Sequence, residues 1–137
     1  TPEYAREAEE WTRQRIEAFA GDYAGAMRMM VSMLFHPDAD AAIKAEVERR
    51  MLRTPQHVTL AMFEAIGGYD PNVAARRLDV PLRAITGVLF PTDVATIRKV
   101  RPDFDAIVME HMGHYPMLER PEEFNRHVRA VVRELEK

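Results

Sequence analysis

A glycine and histidine pair, Gly113-His114, has the residue types and setting best suited to chemistry. The pair follows an apolar run that ends at Met109, and after a short loop Pro121 and two acidic residues open an amphipathic stretch. A histidine in a loop just past a strand can exchange protons near neutral pH, and a neighbouring glycine lets backbone or ligand approach closely. His114 is therefore a candidate general base.

A catalytic nucleophile to accompany this base is missing from the chain. Cysteine is absent, and the single serine, Ser32, lies in an apolar run without flanking glycines. The Gly-x-Ser-x-Gly turn that exposes a serine above a sheet does not occur. Ser32 is predicted to be a helix residue, so a nucleophile for His114 must come from elsewhere.

A histidine base also needs a carboxylate that fixes its tautomer and stabilises the imidazolium. Asp93 is the first carboxylate after Gly87, where a predicted strand ends. Asp93 is equally suited to cap the helix that Pro91-Thr92 begins, so both interpretations stay open. Asp103 and Asp105 are poorer candidates, because they precede the last strand and ligands of open α/β sheets bind beyond the carboxyl ends.

The other histidines show no pattern of metal ligands. His111 stands three residues before His114, where it either lines the same pocket or is simply solvated or packed. His36, His57 and His127 have no spacing to acids that would bring together the three or four donors of a metal site. We therefore predict neither a metal nor another cofactor.

Three glutamates, Glu119, Glu122 and Glu123, flank the start of the last predicted helix at Pro121. Negative charge at a helix start is favourable by a few tenths of a kcal/mol to about 1 kcal/mol. This effect is sufficient to explain the three carboxylates, and no further role is predicted for them.

Length and composition suit one ordinary domain of 137 residues, 47% of them hydrophobic. The net charge of −3, with both signs intermixed, gives no electrostatic footprint for nucleic acid or an anionic membrane. A small neutral or apolar molecule is the expected partner.

No apolar run approaches the roughly 18 residues of a membrane span, and the polar first residues are unlike a signal peptide. The lack of cysteine fits a reducing compartment, so a cytoplasmic location is expected, and the missing initiator methionine suggests that the gene starts upstream.

Helix signals fill the first 78 residues. Apolar periodicity and capping residues predict helices from Pro2 to about Ala20, from Asp22 to Phe35, after a cap at Asp38 or Asp40, from Thr54-Pro55 to Gly67-Gly68, and a short helical turn from Asp70-Pro71.

From Val80 the pattern changes to strand, helix, strand and helix. Residues 82–86 and 104–109 read as buried strands, a helix starts at Pro91-Thr92-Asp93, and the last helix follows Pro121. Two strands joined by a helix are expected to be parallel neighbours. Parallel sheets are normally covered on both faces and have more strands, so either the helices enclose this unit in an unfamiliar way or the rest of the sheet lies outside the chain.

The stretch Gly-His-Tyr-Pro-Met-Leu-Glu-Arg-Pro-Glu-Glu-Phe-Asn at residues 113–125 resembles the histidine loop and last helix of the α/β-hydrolase superfamily. Val-Pro-Leu-Arg-Ala-Ile-Thr-Gly at residues 80–87 and Pro-Thr-Asp at 91–93 resemble that fold's penultimate strand and the turn after it. The resemblance is specific from about Leu78 onward and rests on helix content before it. It implies the C-terminal half of an α/β fold, with a helical cap (lid) at residues 1–78, the end of the core at 79–137, and the rest of the sheet missing.

The resemblance also implies a hydrolase acting on an ester or related bond of a small apolar substrate. His114 would be the triad base, backed by Asp93 or by an acid after the missing sixth strand, since the family's usual position for the acid corresponds to Phe90. The nucleophile, a serine or the aspartate of the dehalogenase and epoxide-hydrolase branches, would lie upstream or on another chain. The implied partner is the N-terminal half of the fold, and a homodimer is an open alternative.

Nine methionines are many for this length. They either form a deformable apolar wall over an active site or pack as ordinary core. The wall would include Met27, Met30, Met33, Met51 and Met62. The candidate substrate contacts are Met30, Met33, Phe90 and Tyr115. A different function is a non-enzymatic helical binding module derived from a hydrolase, which would use this methionine surface to bind a partner or lipid.

Overall fold

The computed structural model describes residues 2–67, 69–89 and 92–136, and eight helices and two strands lie within them. In chain order they are α1 (Pro2–Gly21), α2 (Tyr23–Leu34), α3 (Ala41–Met51), α4 (Gln56–Gly67), α5 (Pro71–Arg77), β1 (Arg83–Gly87), α6 (Val94–Arg98), β2 (Asp105–Met109), α7 (Pro116–Glu119) and α8 (Pro121–Leu135). The order confirms the predicted α/β class, a helical part followed by a small parallel sheet. The single-turn helix α7 was not predicted.

The chain forms two compact units. The helical unit comprises Thr1–Ser32 and Ala45–Asp70, and the strand unit comprises Met33–Lys44 and Pro71–Lys137. Residues just after α2 therefore belong with the strands. The assignment of residues 1–78 to a lid and 79–137 to a hydrolase core stays a prediction.

The helical unit is organised around a buried aromatic pair. Phe19 of α1 and Phe63 of α4 have ring centroids 5.2 Å apart, and Met27 of α2 is buried beside them. The Gln56 side chain donates to the Phe19 carbonyl at 2.7 Å, which fixes the start of α4 against the end of α1. None of the described helices combines the length and apolar character needed to cross a membrane.

Aspartate caps explain where two of the helices begin. Asp22 Oδ1 accepts a hydrogen bond from the Gly25 amide at 2.9 Å at the start of α2. Asp40 Oδ1 accepts from the Ala42 amide at 2.7 Å at the start of α3, which decides between the two predicted caps, Asp38 and Asp40. Both bonds satisfy amides that a helix start otherwise leaves unpaired.

The strand unit is built on β1 and β2, which pair in parallel from Arg83 opposite Asp105 to Gly87 opposite Met109. This confirms the predicted parallel neighbours. Arg83 also donates to Glu134 at 2.8 Å, which ties α8 to β1. The carboxyl ends of both strands consequently meet at one edge, beyond Gly87 and Met109.

Arg101 holds together the chain segments at the amino ends of the strands. Its buried guanidinium donates to the carbonyl of Leu78, to that of Val80 at 2.6 Å, and to the Asp103 carboxylate at 2.9 Å. A buried guanidinium is stable only when its N–H donors are paired. Here these hydrogen bonds fix the segment that leads into β1.

The strands are less buried than the sequence predicts. Four of the five residues of β1 are half-buried, and Val108 of β2 is 45% exposed. The strongly amphipathic α8 has no fully buried residue. The apolar sequences of the strands are typical of a parallel sheet that is covered on both faces. The described helices around the two strands do not provide that cover.

Candidate active site

The histidine loop, residues 110–115, joins β2 to α7 at the carboxyl edge of the strand pair. The Val88 amide, just past β1, donates to the Met112 carbonyl at 2.9 Å, so the loop lies across the ends of both strands. Met112 and Gly113 are buried, whereas His114 is exposed. The imidazole therefore stands at the edge where open α/β sheets bind ligands.

Two glycines let three stretches of backbone meet at this loop. A Cβ on Gly87 would lie 2.7 Å from the Met112 carbonyl carbon and nearer still to the Gly113 oxygen. A Cβ on Gly113 would lie 2.8 Å from the His36 nitrogen and would also overlap the Leu34 oxygen. Real side chains do not tolerate such distances, so the close backbone approach predicted for Gly113 is confirmed.

The segment that follows α2 forms one wall of the histidine loop. The His114 amide donates to the Leu34 carbonyl at 2.6 Å. Phe35 is buried, and its ring packs 5.3 Å from that of Tyr115. No sequence pattern pointed to this contact between distant parts of the chain.

Glu119, the last residue of α7, closes the loop from the other side. Its Oε1 accepts a hydrogen bond from the Gly113 amide at 2.9 Å. Its Oε2 is buried and has no hydrogen-bond partner within the described ranges. The helix dipole alone is an incomplete explanation for Glu119, because its carboxylate points back into the loop. Recognising α7 would have supplied the signal, since a single helical turn returns residue 119 toward residue 113.

His111 has a left-handed backbone conformation with φ of 58°. Histidine adopts this region more readily than most residues, although it remains uncommon. The exposed His111 side chain packs edge-on against His36, with ring centroids 5.7 Å apart, and His36 Nδ1 lies 3.5 Å from Asp38 Oδ2. Across the described part of the chain, no group of three or more histidine or acidic side chains is arranged to hold a metal ion.

Asp93 is the N-terminal cap of α6. Its Oδ1 accepts from the Thr96 amide at 3.0 Å, and hydrogen bonds from Thr96 lower the pKa of the Asp93 carboxyl group. The cap function is thus observed, while the role of Asp93 as the triad acid stays a prediction. Asp103, just before β2, and Asp105, its first residue, lie at the opposite edge of the sheet, as the sequence predicted. Asp103 pairs there with Arg101, and Asp105 pairs with Arg98.

The predicted substrate contacts have different surroundings. Tyr115 packs against His114 with ring centroids 5.3 Å apart, and burial raises the pKa of its phenol. Met33 is 41% exposed in the strand unit. Met30 is half-buried against the aromatic core of the helical unit. Phe90 lies outside the described residues.

The other methionines of the predicted wall, and Ser32, lie on helices of the helical unit. Met27 is buried, Met51 packs against the same core, and Met62 is 47% exposed on α4. The Ser32 hydroxyl donates to the Met29 carbonyl at 2.7 Å within α2, as expected of a helix residue.

The fold of this chain is similar to parts of solved esterase structures. The chain matches an esterase (EaEST) from Exiguobacterium antarcticum with a TM-score of 0.77 and 15% identity, covering 91% of this chain and 48% of that one. It matches a thermophilic esterase with a TM-score of 0.69 and 20% identity, covering 88% of this chain and 50% of that one. No family model matches the sequence, and no curated protein does. The chain therefore spans about half the length of these esterases and has a partial α/β-hydrolase fold.

Proposed function

We propose that this chain supplies the histidine-bearing half of an α/β-hydrolase that cleaves an ester or related bond of a small, largely apolar molecule. One observation carries the proposal. The exposed His114 stands beyond the carboxyl ends of two parallel strands, in a loop whose backbone is held by Leu34, Val88 and Glu119. That is the setting in which this fold uses a general base.

In the proposed reaction with a serine nucleophile, His114 takes the hydroxyl proton as the serine attacks the ester carbonyl, gives that proton to the leaving alkoxide, and then takes a proton from the water that cleaves the acyl-enzyme. With an aspartate nucleophile, His114 acts only in the second step, as the base that activates water. A serine nucleophile, or an aspartate that attacks directly, would come from sequence outside this chain. Asp93, or an acid outside the chain, would orient the imidazole and stabilise its charged form. The donors that stabilise the oxyanion would also belong to the other half.

The proposed partner is the N-terminal half of the hydrolase fold, on the same polypeptide or on another chain. The exposure of Val108 and the absence of fully buried residues in α8 support this proposal, because apolar strands and strongly amphipathic helices are stable when covered. The esterases that match are about twice as long as this chain.

An apolar substrate is supported by Tyr115, which packs on His114, and by an exposed methionine in the same unit. Tyr115 is half-buried beside the imidazole, and Met33 is 41% exposed in the same unit. Methionine adapts to apolar molecules of several shapes. The substrate roles of Met30 and Phe90 are proposed on the sequence alone.

A second candidate function is a binding module without catalysis. Val58, Met62 and Ile66 follow one another at intervals of one helical turn on α4, and they are 46%, 47% and 51% exposed. Such a stripe on the helical unit suits an apolar partner or lipid.

Nitrophenyl esters of increasing acyl length test the enzymatic function on the full protein. The unmodified protein should hydrolyse them, and His114→Ala should lower kcat by about 100-fold to 10,000-fold. His57→Ala is a matched control, because His57 is an exposed histidine of α4. Equal turnover by the parent and His114→Ala would exclude His114 as the base. A full protein that hydrolyses none of these esters would favour the binding module.

A further inference from the structure

The Glu119 carboxylate is partly buried against the histidine loop, which is unusual for a charged group. One of its oxygens accepts from the Gly113 amide at 2.9 Å, and the other is buried without a hydrogen-bond partner among the residues that the structure describes. Burying a carboxylate oxygen without pairing it costs stability. The helix dipole does not require this burial, because an exposed glutamate at a helix start gains the same benefit.

The hydrogen bond reaches the backbone immediately before the candidate base. Glycine has the widest conformational freedom of any residue, and Gly113 has no side chain whose packing could fix it. The Gly113 amide donates to Glu119, and the next amide, that of His114, donates to Leu34 at 2.6 Å. Two successive amides are therefore held by different segments, one on each side of the Gly113 α-carbon.

We propose that Glu119 is a positioning residue for His114, which holds the Gly113 amide and so fixes the direction in which the imidazole leaves the loop. The acceptor on Glu119 supplies a constraint on the backbone that glycine itself does not supply. Small misplacements of a catalytic group are costly in rate even when the group itself is unchanged. The proposal rests on the proposed function, in which His114 is the base.

Two substitutions in the full protein test this role. Glu119→Ala removes the acceptor and should lower kcat for a nitrophenyl ester by about tenfold to 100-fold with KM unchanged. Glu119→Gln keeps a carbonyl oxygen for the Gly113 amide, and its kcat should stay within about threefold of the parent. Glu122→Ala is the matched control, since Glu122 is an exposed glutamate in the first turn of α8. A loss in Glu119→Gln as large as in Glu119→Ala would overturn the positioning role, because charge and not the hydrogen bond would then matter.

Hydrogen exchange of the Gly113 amide, measured by NMR on the same proteins, gives a readout that does not depend on activity. Exchange should be at least about tenfold faster in Glu119→Ala and close to the parent rate in Glu119→Gln. Unchanged exchange in Glu119→Ala would overturn the proposal. If His114→Ala abolishes hydrolysis and Glu119→Ala does not affect it, the positioning role fails alone. If His114→Ala has no effect, the proposed function fails and the exchange rates still decide whether Glu119 holds the loop.

Discussion

The His114 amide and the Leu34 carbonyl are joined by a 2.6 Å hydrogen bond, which connects the candidate base to the residues that follow α2. Phe35 adds its buried ring to the same contact by packing on Tyr115. The segment between α2 and α3 is therefore part of the structure that supports the histidine loop. Substitutions in this segment are expected to disturb the histidine loop although they lie far from His114 in the sequence.

Replacing Gly113 by alanine should destabilise the protein. The new Cβ would lie 2.8 Å from the His36 nitrogen and would overlap the Leu34 oxygen, both of which are backbone atoms that cannot rotate away. We expect a loss of about 1 to 3 kcal/mol in the free energy of unfolding, measured by chemical denaturation of the full protein. Gly21→Ala is the control, because a Cβ there meets nothing within 4 Å. Equal stability of the two variants would contradict the close packing at Gly113.

Asp93→Ala should lower the free energy of unfolding by about 1 kcal/mol, since it removes the cap that accepts from the Thr96 amide. Asp93→Asn should restore this stability, because asparagine caps as well as aspartate. The asparagine variant also tests the acid role, since an amide does not stabilise an imidazolium. A fall in kcat of about 10,000-fold would assign the triad acid to Asp93, whereas an unchanged kcat would place the acid elsewhere.

The Arg101 and Asp103 pair should contribute to stability at neutral pH and lose its effect in acid. The Arg101 guanidinium, through its hydrogen bonds, holds the pKa of Asp103 below its ordinary value of 3.8. A carboxyl group with a lowered pKa in the folded state stabilises the protein above its ordinary pKa, and this contribution disappears as the pH falls through the lower, folded-state value. Asp103→Asn should therefore lose less stability than the parent between about pH 6 and about pH 3.

Unfolding curves at several pH values measure this difference. Glu64→Gln is the control, because Glu64 is an exposed carboxylate on α4 and lies outside the strand unit. The same acid sensitivity in Asp103→Asn and in the parent would show that the pair does not contribute.

Val108 should be covered in the full protein if the sheet is completed by the other half of the fold. This chain lacks cysteine, so Val108→Cys introduces a thiol whose labelling can be compared with that of the parent protein. We expect labelling at least about tenfold slower than that of Arg50→Cys, because parallel sheets are normally buried on both faces. Arg50 is a suitable reference, with a side chain 72% exposed on α3. Equal labelling of the two thiols would contradict the proposed completion of the sheet.

Local signals predicted much of the fold. Asp22 and Asp40 cap helices where the sequence suggested, and the strand pair with its parallel direction followed from two apolar runs joined by a helix. The position of His114 beyond β2 followed from the same pattern. These features depend on neighbouring residues, so sequence reasoning could reach them.

Contacts between distant segments were beyond that reasoning. The hydrogen bond from the His114 amide to the Leu34 carbonyl depends on tertiary packing, and the sequence around neither residue predicts it. The helix α7 spans only Pro116–Glu119, too short for an apolar period, so the return of Glu119 to Gly113 was missed. The partial exposure of β1 was not predicted. Its apolar sequence indicates a strand that is stable when buried, but the described helices do not cover it completely.

The two ends of the strand pair are held by separate means. Arg101 secures the amino ends through the carbonyls of Leu78 and Val80, while glycine contacts and Glu119 secure the carboxyl ends. Substitutions at exposed positions of the carboxyl edge therefore leave the Arg101 contacts at the amino ends in place. Protein engineers can therefore diversify exposed loop positions such as Glu110, provided that they keep Gly87, Gly113 and Glu119, which secure this end of the strand pair.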